Sequence, residues 1–288
     1  MNKILAIRII VLLLVGSTLA SCGAGPAKRA NTGEAPISAR ARNVLAAENP
    51  TGLLRIGESF EKSGNLKGAL NIYGQAMAAA PELIAAQIAY ARVIGALGAN
   101  DRSIIMLVGL LETHPNNPAV RQALANSYIR AGQFKAAVIV LKPALEAPDV
   151  TEELLDLGGR IAQVSGDSKQ ARRFMGLALD KSPNNTVILR HMALSFALDA
   201  DYATAVGLLQ KAMDNPSGLI SGKQSLAFVY ALSGQFEAAM QLARGSMSQS
   251  DVNTHRFIYK HLPDWTKEQQ AMAVLFNQFP KELFSRQE

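Results

Sequence analysis

The sequence contains very little cysteine: among its 288 residues there is a single one, Cys22. One cysteine cannot form a disulfide within the chain, which excludes a disulfide-stabilised small domain. Aromatic residues are also scarce, at 6%, whereas apolar residues as a whole make up 49%. A core rich in alanine and leucine and poor in large rings favours closely packed helices over a β-sandwich. We therefore expect an all-α protein.

The chain also lacks the motifs of common catalytic and ligand-binding sites. No glycine-rich loop is followed by Lys-Ser or Lys-Thr, and no serine stands in a nucleophile-elbow motif. The four histidines are scattered, and His255 and His261 do not have the four-residue spacing that puts two metal ligands on one helical face. Basic and acidic residues are interleaved without a basic run. We expect no catalytic residue, metal, cofactor, small-molecule substrate or nucleic-acid partner.

What the chain does have is a small residue that returns every 34 positions. Its occurrences are Gly64, Gly98, Gly132, Gly166, Ala200 and Gly234. Further small residues recur five positions after and seven positions before each of them. This resembles the tetratricopeptide repeat, in which small residues let two antiparallel helices cross closely. The pattern predicts a right-handed α-solenoid of about six tetratricopeptide (TPR) helix pairs over residues 50–251.

Residues 252–288 are predicted to form a C-terminal helical cap. One helix continues to His261, Pro263 breaks it, and Thr266 with Gln269 forms a capping box that opens a last helix. Because a solenoid leaves its final apolar face uncovered, apolar residues of this last helix are expected to cover the sixth pair. These are Met272, Leu275, Phe276 and Phe279, while Lys267, Glu268 and Gln270 are expected to face water. Trp265 is interpreted as a packing residue of the cap, and the alternative is an anchor for a binding partner.

The N-terminal residues 1–21 have the pattern of a signal peptide. Lys3 and Arg8 accompany a short apolar run, and Leu19-Ala20-Ser21-Cys22 matches the bacterial lipobox. That resemblance implies cleavage before Cys22 and acyl chains, palmitate among them, on the new N-terminus, which would anchor the protein to a membrane. Gly23 after the cysteine favours the outer membrane. The alternative is an ordinary signal peptide with an incidental cysteine. Residues 22–49 are predicted to be a lipidated flexible tether, because their composition cannot bury a core.

A cluster of carboxylates, Glu152, Glu153 and Asp156, stands at a predicted helix start, where we interpret it as complementing the helix dipole. In tetratricopeptide proteins the first helix of each pair lines a concave groove. Transferred onto this register, the candidate peptide-groove residues are Arg92, Gln122, Asn126, Arg160, Arg190 and Gln224. Arg92, Asn126 and Arg160 occupy one position in successive repeats and could form a polar ladder for peptide carbonyls or carboxylates. The alternative is a solvated helix face.

The lipobox, the tether, the six repeats and the stretch from Gln224 to Ala239 together resemble the lipoproteins of tight-adherence (Tad/Flp) pilus assembly. The resemblance implies a non-enzymatic lipoprotein of the outer membrane that faces the periplasm of a Gram-negative bacterium. Its implied protein partner is the pilus secretin, which it would help to localise or assemble. Two alternatives remain: an adaptor for outer-membrane protein insertion or for cell-wall or polysaccharide synthesis, and a regulatory subunit of a wall or polysaccharide enzyme.

Overall fold

The computed structural model describes residues 49–280. The predicted signal peptide, Cys22 and nearly all of the predicted tether lie outside the described residues, as do the last eight residues, 281–288. Residues 49–280 form fourteen α-helices and contain no β-strand. The all-α expectation is therefore confirmed for the part of the chain that the structure describes.

The first twelve helices form six pairs, which confirms the predicted α-solenoid. The pairs are α1 (Pro50–Lys62) with α2 (Leu66–Ala79), α3 (Ile84–Ala96) with α4 (Asn100–Thr113), α5 (Pro118–Arg130) with α6 (Phe134–Leu145), α7 (Glu152–Val164) with α8 (Ser168–Lys181), α9 (Thr186–Leu198) with α10 (Tyr202–Met213), and α11 (Leu219–Leu232) with α12 (Phe236–Ser246). A 3-10 turn at Pro216–Gly218 precedes α11. Two further helices follow, α13 (Gln249–His261) and α14 (Lys267–Phe276), with a 3-10 turn at Leu262–Asp264 between them.

The turn within each pair explains the 34-residue period. The five glycines of the series have φ between +73° and +94°, and Ala200 has φ +64°. A Cβ on any of these glycines would meet no atom within 4 Å, so backbone conformation rather than space favours glycine there. Ala200 adopts the same left-handed conformation with a Cβ, which costs about 1–2 kcal/mol.

The small residues at the helix crossings are fully buried. The six that follow each turn are 0% exposed: Ala69, Ser103, Ala137, Ala171, Ala205 and Ala239. On the opposite helix, a Cβ at Gly57 would lie 2.3 Å from Cε1 of Tyr73. The pattern in the sequence is therefore a packing requirement, because a larger side chain at these positions would push the paired helices apart.

The first helices of the pairs lie on one side of the solenoid, and we call the surface they line the groove. Contacts between first helices join α1 to α3, α3 to α5, α7 to α9 and α9 to α11. Each second helix packs against the first helix of the next pair, so the second helices form the outer face of the solenoid. Side-chain caps such as Asn117 on α5, Thr151 on α7 and Asn185 on α9 satisfy backbone N–H groups where the groove helices begin.

The C-terminal region differs from the expected cap. The helix ending at His261, the break at Pro263 and the capping box of Thr266 and Gln269 are all present. However, α13 packs against α11 and α12 and so covers the sixth pair, whereas α14 packs against α7 and α9, in the groove. Gln270 is buried at 5% exposure and donates to the carbonyl of Leu262, so its expected exposure to water is wrong. The chain reverses direction after α13, and α14 packs against α7 and α9 in the groove rather than over the sixth pair.

Trp265 lies in the reversal between α13 and α14. Its ring is buried, at 8% exposure, next to the fully buried Leu262. The structure therefore gives Trp265 a packing role, as expected from the sequence. Trp265 belongs to the same cluster of buried apolar residues as Leu262, Val274 and Leu275.

Candidate functional site

The groove divides into two halves, which we call the open half and the filled half. The open half is the surface of α1, α3 and α5, and the filled half is the surface of α7, α9 and α11, part of which α14 covers. In the filled half, Nζ of Lys267 donates to the carbonyl of Leu198 at 2.7 Å. Beyond the end of α14, Nε2 of Gln278 donates to the carbonyl of Ile129, also at 2.7 Å, and so marks the border with the open half.

Arg92 lies in the open half but already has a partner. Its Nη1 and Nη2 lie 2.8 and 2.9 Å from the two carboxylate oxygens of Glu61. The hydroxyl of Tyr73 donates to the same carboxylate at 3.0 Å, and burial with the neighbouring Glu61 raises the pKa of Tyr73 to about 12. Because Glu61 belongs to the first pair and Arg92 to the second, this bidentate ion pair joins the two repeats.

Gln122 and Asn126 are the two candidate residues without an internal partner. Both lie on α5, one helical turn apart, and both are partly exposed. Neither side chain makes a hydrogen bond with any residue in 49–280. Two amide side chains spaced by one turn offer donors and acceptors that match the N–H and C=O groups of an extended peptide.

Arg160 is part of a buried network in the filled half. Its Nε lies 3.0 Å from Oδ2 of Asp156, and the carboxylate of Asp156 also lies 2.8 Å from Nδ1 of His191. Nη1 of Arg160 donates to the carbonyl of Leu275 at 3.5 Å, and its guanidinium lies 4.9 Å from the ring centre of Phe276. The guanidinium of Arg160 is therefore already occupied by contacts with α14 of the same chain.

Asp156 lies deeper in α7 than its expected place at the helix start. Glu152 and Glu153 lie in the first turn of α7, as expected, but Asp156 lies one turn further and is buried. Burial acts to raise the pKa of Asp156, but His191 and Arg160 outweigh it, so that the pKa lies below its ordinary value. Burial lowers the pKa of His191, and Asp156 only partly opposes that. Because the carboxylate of Asp156 can only accept, Nδ1 of His191 is the donor of the hydrogen bond between them.

Arg190 and Gln224 border a polar cavity of about 520 Å³ between the groove and α14. Nε of Arg190 donates to Oγ of Ser225 at 3.1 Å, and Nε2 of Gln224 donates to the carbonyl of Ser246 at 3.1 Å. Burial lowers the pKa of Arg190, and Asp156 only partly opposes that. Of the candidate residues, Arg160, Arg190 and Gln224 are thus brought together, whereas Arg92, Gln122 and Asn126 lie in the other half.

Two features were not found from the sequence. Arg130, at the end of α5, is partly buried, and its buried Nε has no hydrogen-bond partner among residues 49–280. The second is an apolar groove of about 850 Å³ on the outer face, formed by α6, α7 and α8. Val138 on α6 lines this groove and is 40% exposed. An apolar side chain beside the buried face of α6 was the signal for this surface in the sequence.

The described residues contain no group of three or more His, Cys, Asp or Glu side chains placed to hold a metal ion. Within residues 49–280, no helix has both the length and the apolar character needed to cross a membrane. Separately from these findings, the groove side chains described above make hydrogen bonds and ion pairs through amide, hydroxyl, guanidinium and carboxylate groups.

Comparison with known proteins agrees with this architecture. Residues 96–161 match the family model of the tetratricopeptide repeat. A tetratricopeptide repeat protein from Parabacteroides merdae superposes with a TM-score of 0.60 at 15% identity, covering 83% of this chain and 97% of that one. PilW, described as a widely conserved type IV pilus biogenesis factor, superposes with a TM-score of 0.57 at 14% identity, covering 68% of this chain and 91% of PilW. No curated protein sequence matches the chain significantly.

These findings define the class of protein. Residues 96–161 match the tetratricopeptide repeat, and residues 49–280 fold as an α-solenoid of the tetratricopeptide type. Solenoids of this kind present extended surfaces that bind other proteins. At identities of 14% and 15%, the likeness to the two solved structures shows the fold alone.

Proposed function

We propose that this protein is a non-enzymatic scaffold that binds a protein partner through the open half of its groove. The observation that carries the proposal is the pair Gln122 and Asn126, whose amide side chains are partly exposed and have no partner among the described residues. Arg92, on the neighbouring α3, keeps 43% of its side chain exposed despite its ion pair. An extended peptide laid along α3 and α5 would meet all three side chains.

We assign the scaffold to Tad/Flp pilus biogenesis, as a lipoprotein like TadD that assists the localisation or assembly of the pilus secretin. Support comes from the lipobox at Leu19-Ala20-Ser21-Cys22, the tether, and the resemblance of the stretch from Gln224 to Ala239. PilW, a pilus biogenesis factor by its description, shares the solenoid fold. In this proposal Cys22 carries the lipid anchor, and the array faces the periplasm from the outer membrane.

The test is cross-linking and affinity purification of the full-length protein from membranes, beside the double variant Gln122→Ala and Asn126→Ala. We expect a secretin to co-purify with the unmodified protein and to be reduced about tenfold or more with the double variant, since several hydrogen bonds to the partner would be lost. The matched control is Gln249→Ala with Asn253→Ala. It removes the same residue types, at the same four-residue spacing, from the exposed surface of α13.

Three other outcomes would each contradict one part of the proposal: the binding surface, the pilus assignment or the location. A secretin retained by the groove variant would move binding to another surface, such as the apolar groove of α6 and α8. Recovery of outer-membrane insertion or wall-synthesis proteins instead of a secretin would replace the pilus assignment with the adaptor alternative. Fractionation of the protein away from the outer membrane would contradict the proposed location.

A further inference from the structure

The C-terminal helix α14 is attached to the repeats by few polar contacts. Nζ of Lys267 donates to the carbonyl of Leu198 in the fifth pair, and Nη1 of Arg160 in the fourth pair donates to the carbonyl of Leu275 at 3.5 Å. No salt bridge among residues 49–280 joins α14 to the repeats. The helix is therefore held in the groove mainly by the packing of its apolar side chains.

The end of α14 also reaches across the border between the two halves. The ring of Phe276 packs edge to face with that of Phe134 in the third pair, 5.5 Å between centres, and the guanidinium of Arg160 lies over the ring of Phe276. Gln278 donates to the carbonyl of Ile129, also in the third pair. The groove helices α5 and α7 make few direct contacts with each other at this border. Phe276 and Gln278 thus join the third and fourth pairs within the groove.

The docked position of α14 buries polar atoms that have no partner. Nε1 of Trp265 and Oε1 of Gln270 are buried, and neither makes a hydrogen bond with any residue in 49–280. Gln270 donates through Nε2 to the carbonyl of Leu262, but its oxygen remains unsatisfied. A buried polar atom without a partner costs free energy, because it has lost its hydrogen bond to water. Movement of α14 out of the groove would let water reach these atoms.

The surface beneath α14 is charged. The side chains of Asp156 and Arg160 are 7% and 20% exposed, and they form an ion pair on α7, against which α14 packs. Keeping an ion pair away from water is unfavourable unless its attraction outweighs the lost hydration. The buried apolar residues of α14 are Ala271, Ala273, Val274 and Leu275, two of which are alanines. The gain from apolar contact is correspondingly small, because it scales with the area removed from water.

No contact within the repeats has to break for α14 to leave the groove. Its link to α13 is the 3-10 turn Leu262–Asp264 followed by the extended residue Trp265. The sixth pair stays covered, because α13 rather than α14 packs against α11 and α12. A change of backbone angles in this link would therefore release α14 while the six pairs keep their own contacts.

We propose that α14 is a releasable clasp, which fills half of the groove until an amphipathic helix of a protein partner takes its place. Release uncovers the surface of α7 and α9 and frees the third pair from the fourth, so that the binding surface beside the open half becomes longer. The clasp rests on the proposed scaffold function for the existence of a partner, but not on the pilus assignment.

The first part of the test releases α14 by a single substitution in the full-length chain in detergent. Ala271 is 1% exposed and lies on the same face of α14 as Lys267 and Leu275, four residues away on either side. Ala271→Asp should therefore expel α14, because it buries a charge without a partner. We expect the fluorescence emission of Trp265, the only tryptophan, to shift to longer wavelength. The control Asn253→Asp adds the same charge to the exposed surface of α13 and should cause no shift.

The second part measures whether the uncovered groove binds a helix from outside. The probe is a fluorescently labelled synthetic peptide with the sequence of residues 266–280, and its affinity is measured by fluorescence anisotropy. We expect the Ala271→Asp chain to bind it about tenfold or more tightly than the unmodified chain, because the attached α14 no longer competes. The same peptide carrying Leu275→Asp is the control and should bind neither chain.

A second variant keeps the proposal testable if Ala271→Asp does not fold. Lys267→Ala with Gln278→Ala removes two hydrogen bonds between the clasp and backbone carbonyls of the repeats, and it should raise the affinity for the peptide severalfold. The proposal is overturned if neither folded variant binds the peptide more tightly than the unmodified chain does. An unshifted Trp265 emission in a folded Ala271→Asp chain would also overturn it.

Failure of the clasp can be told apart from failure of the scaffold function. Tighter peptide binding by the released chain without a co-purifying secretin would support the clasp and contradict only the pilus assignment. Equal peptide binding by all chains, together with a secretin that is lost on Gln122→Ala and Asn126→Ala, would contradict only the clasp.

Discussion

The two halves of the groove use the same repeat position in different ways. In the open half, Asn126 makes no hydrogen bond with a described residue, and Arg92 is paired with Glu61 of the preceding repeat. In the filled half, Arg160 is bonded to Asp156 and to the carbonyl of Leu275 on α14. Arg92, Asn126 and Arg160 are each separated by 34 residues, yet only Asn126 is left without an internal partner.

The difference shows what a repeat position does and does not specify. The repeat determines which face of the first helix a side chain occupies, since each pair has the same backbone geometry. Whether that side chain is free to bind a partner depends on neighbours outside its own repeat, such as Glu61 of the preceding pair and α14. The predicted polar ladder therefore exists as an alignment of positions, but the structure does not support it as one continuous binding surface.

The largest expected effect tests whether α14 is an integral part of the filled half. Leu275 is 4% exposed, so Leu275→Ala should leave a cavity and lower the free energy of unfolding by about 2–5 kcal/mol. The matched control is Leu97→Ala at the end of α3, where the side chain is 42% exposed and the cost should be about 0.5 kcal/mol or less. Urea unfolding measures both. Equal effects would contradict the division into a filled and an open half.

A smaller effect is expected at the turns, where the filled half contains the one exception to glycine. Ala200 has φ +64°, so Ala200→Gly should stabilise the protein by about 1 kcal/mol through relief of that strain. The reverse change in the open half, Gly98→Ala at φ +94°, should destabilise by about 1 kcal/mol or more. Thermal unfolding measures both, and a loss of stability on Ala200→Gly would be inconsistent with strain at this turn.

The filled half should make the stability of the protein depend on pH, because His191 is largely buried there next to the carboxylate of Asp156. Burial holds the pKa of His191 below its ordinary value of 6.5, so the unfolded chain takes up this proton first and stability falls as pH drops below about 6.5. Asp156 adds a further loss only below its ordinary pKa of 3.8. The other charged groups that face His191 are Arg160 and Arg190.

His191→Asn keeps an N–H donor for Asp156 but removes the titration. It should flatten the decline in the free energy of unfolding between about pH 6.5 and pH 5. His114→Asn, which removes a partly exposed histidine in the second pair, serves as the control. An unchanged slope in His191→Asn would show that the buried pair does not govern stability in this range.

Much of the fold could be predicted from the sequence. The turns at Gly64 to Gly234, the small residues at the helix crossings and the capping box of Thr266 and Gln269 depend on contacts between residues close in sequence. Such contacts recur with the chain's own period and leave a visible pattern. Two residues depart from that pattern, but the local structure is unchanged at both. Ala200 adopts the left-handed turn, and Ser103 is buried and hydrogen-bonded to Ser127.

The candidate site could be predicted only in part. The register placed the six candidate residues on first helices, but it did not predict the contacts between Arg160 and α14. The expected placement of Leu275 and Phe276 over the sixth pair was wrong, since α13 already covers that pair. An amphipathic helix identifies its own apolar face, and several apolar surfaces of the solenoid could have received it.

The sequence by itself determined the helix pairs, their turns and the positions that face the groove, because these follow from local backbone preferences and from the spacing of small and apolar residues. The tertiary structure alone decided which half of the groove is filled. The bond between Arg160 and Leu275 joins residues 115 positions apart, and that between Gln278 and Ile129 joins residues 149 apart. Contacts over such distances depend on how the folded surfaces fit together, and no periodic pattern in the chain records them.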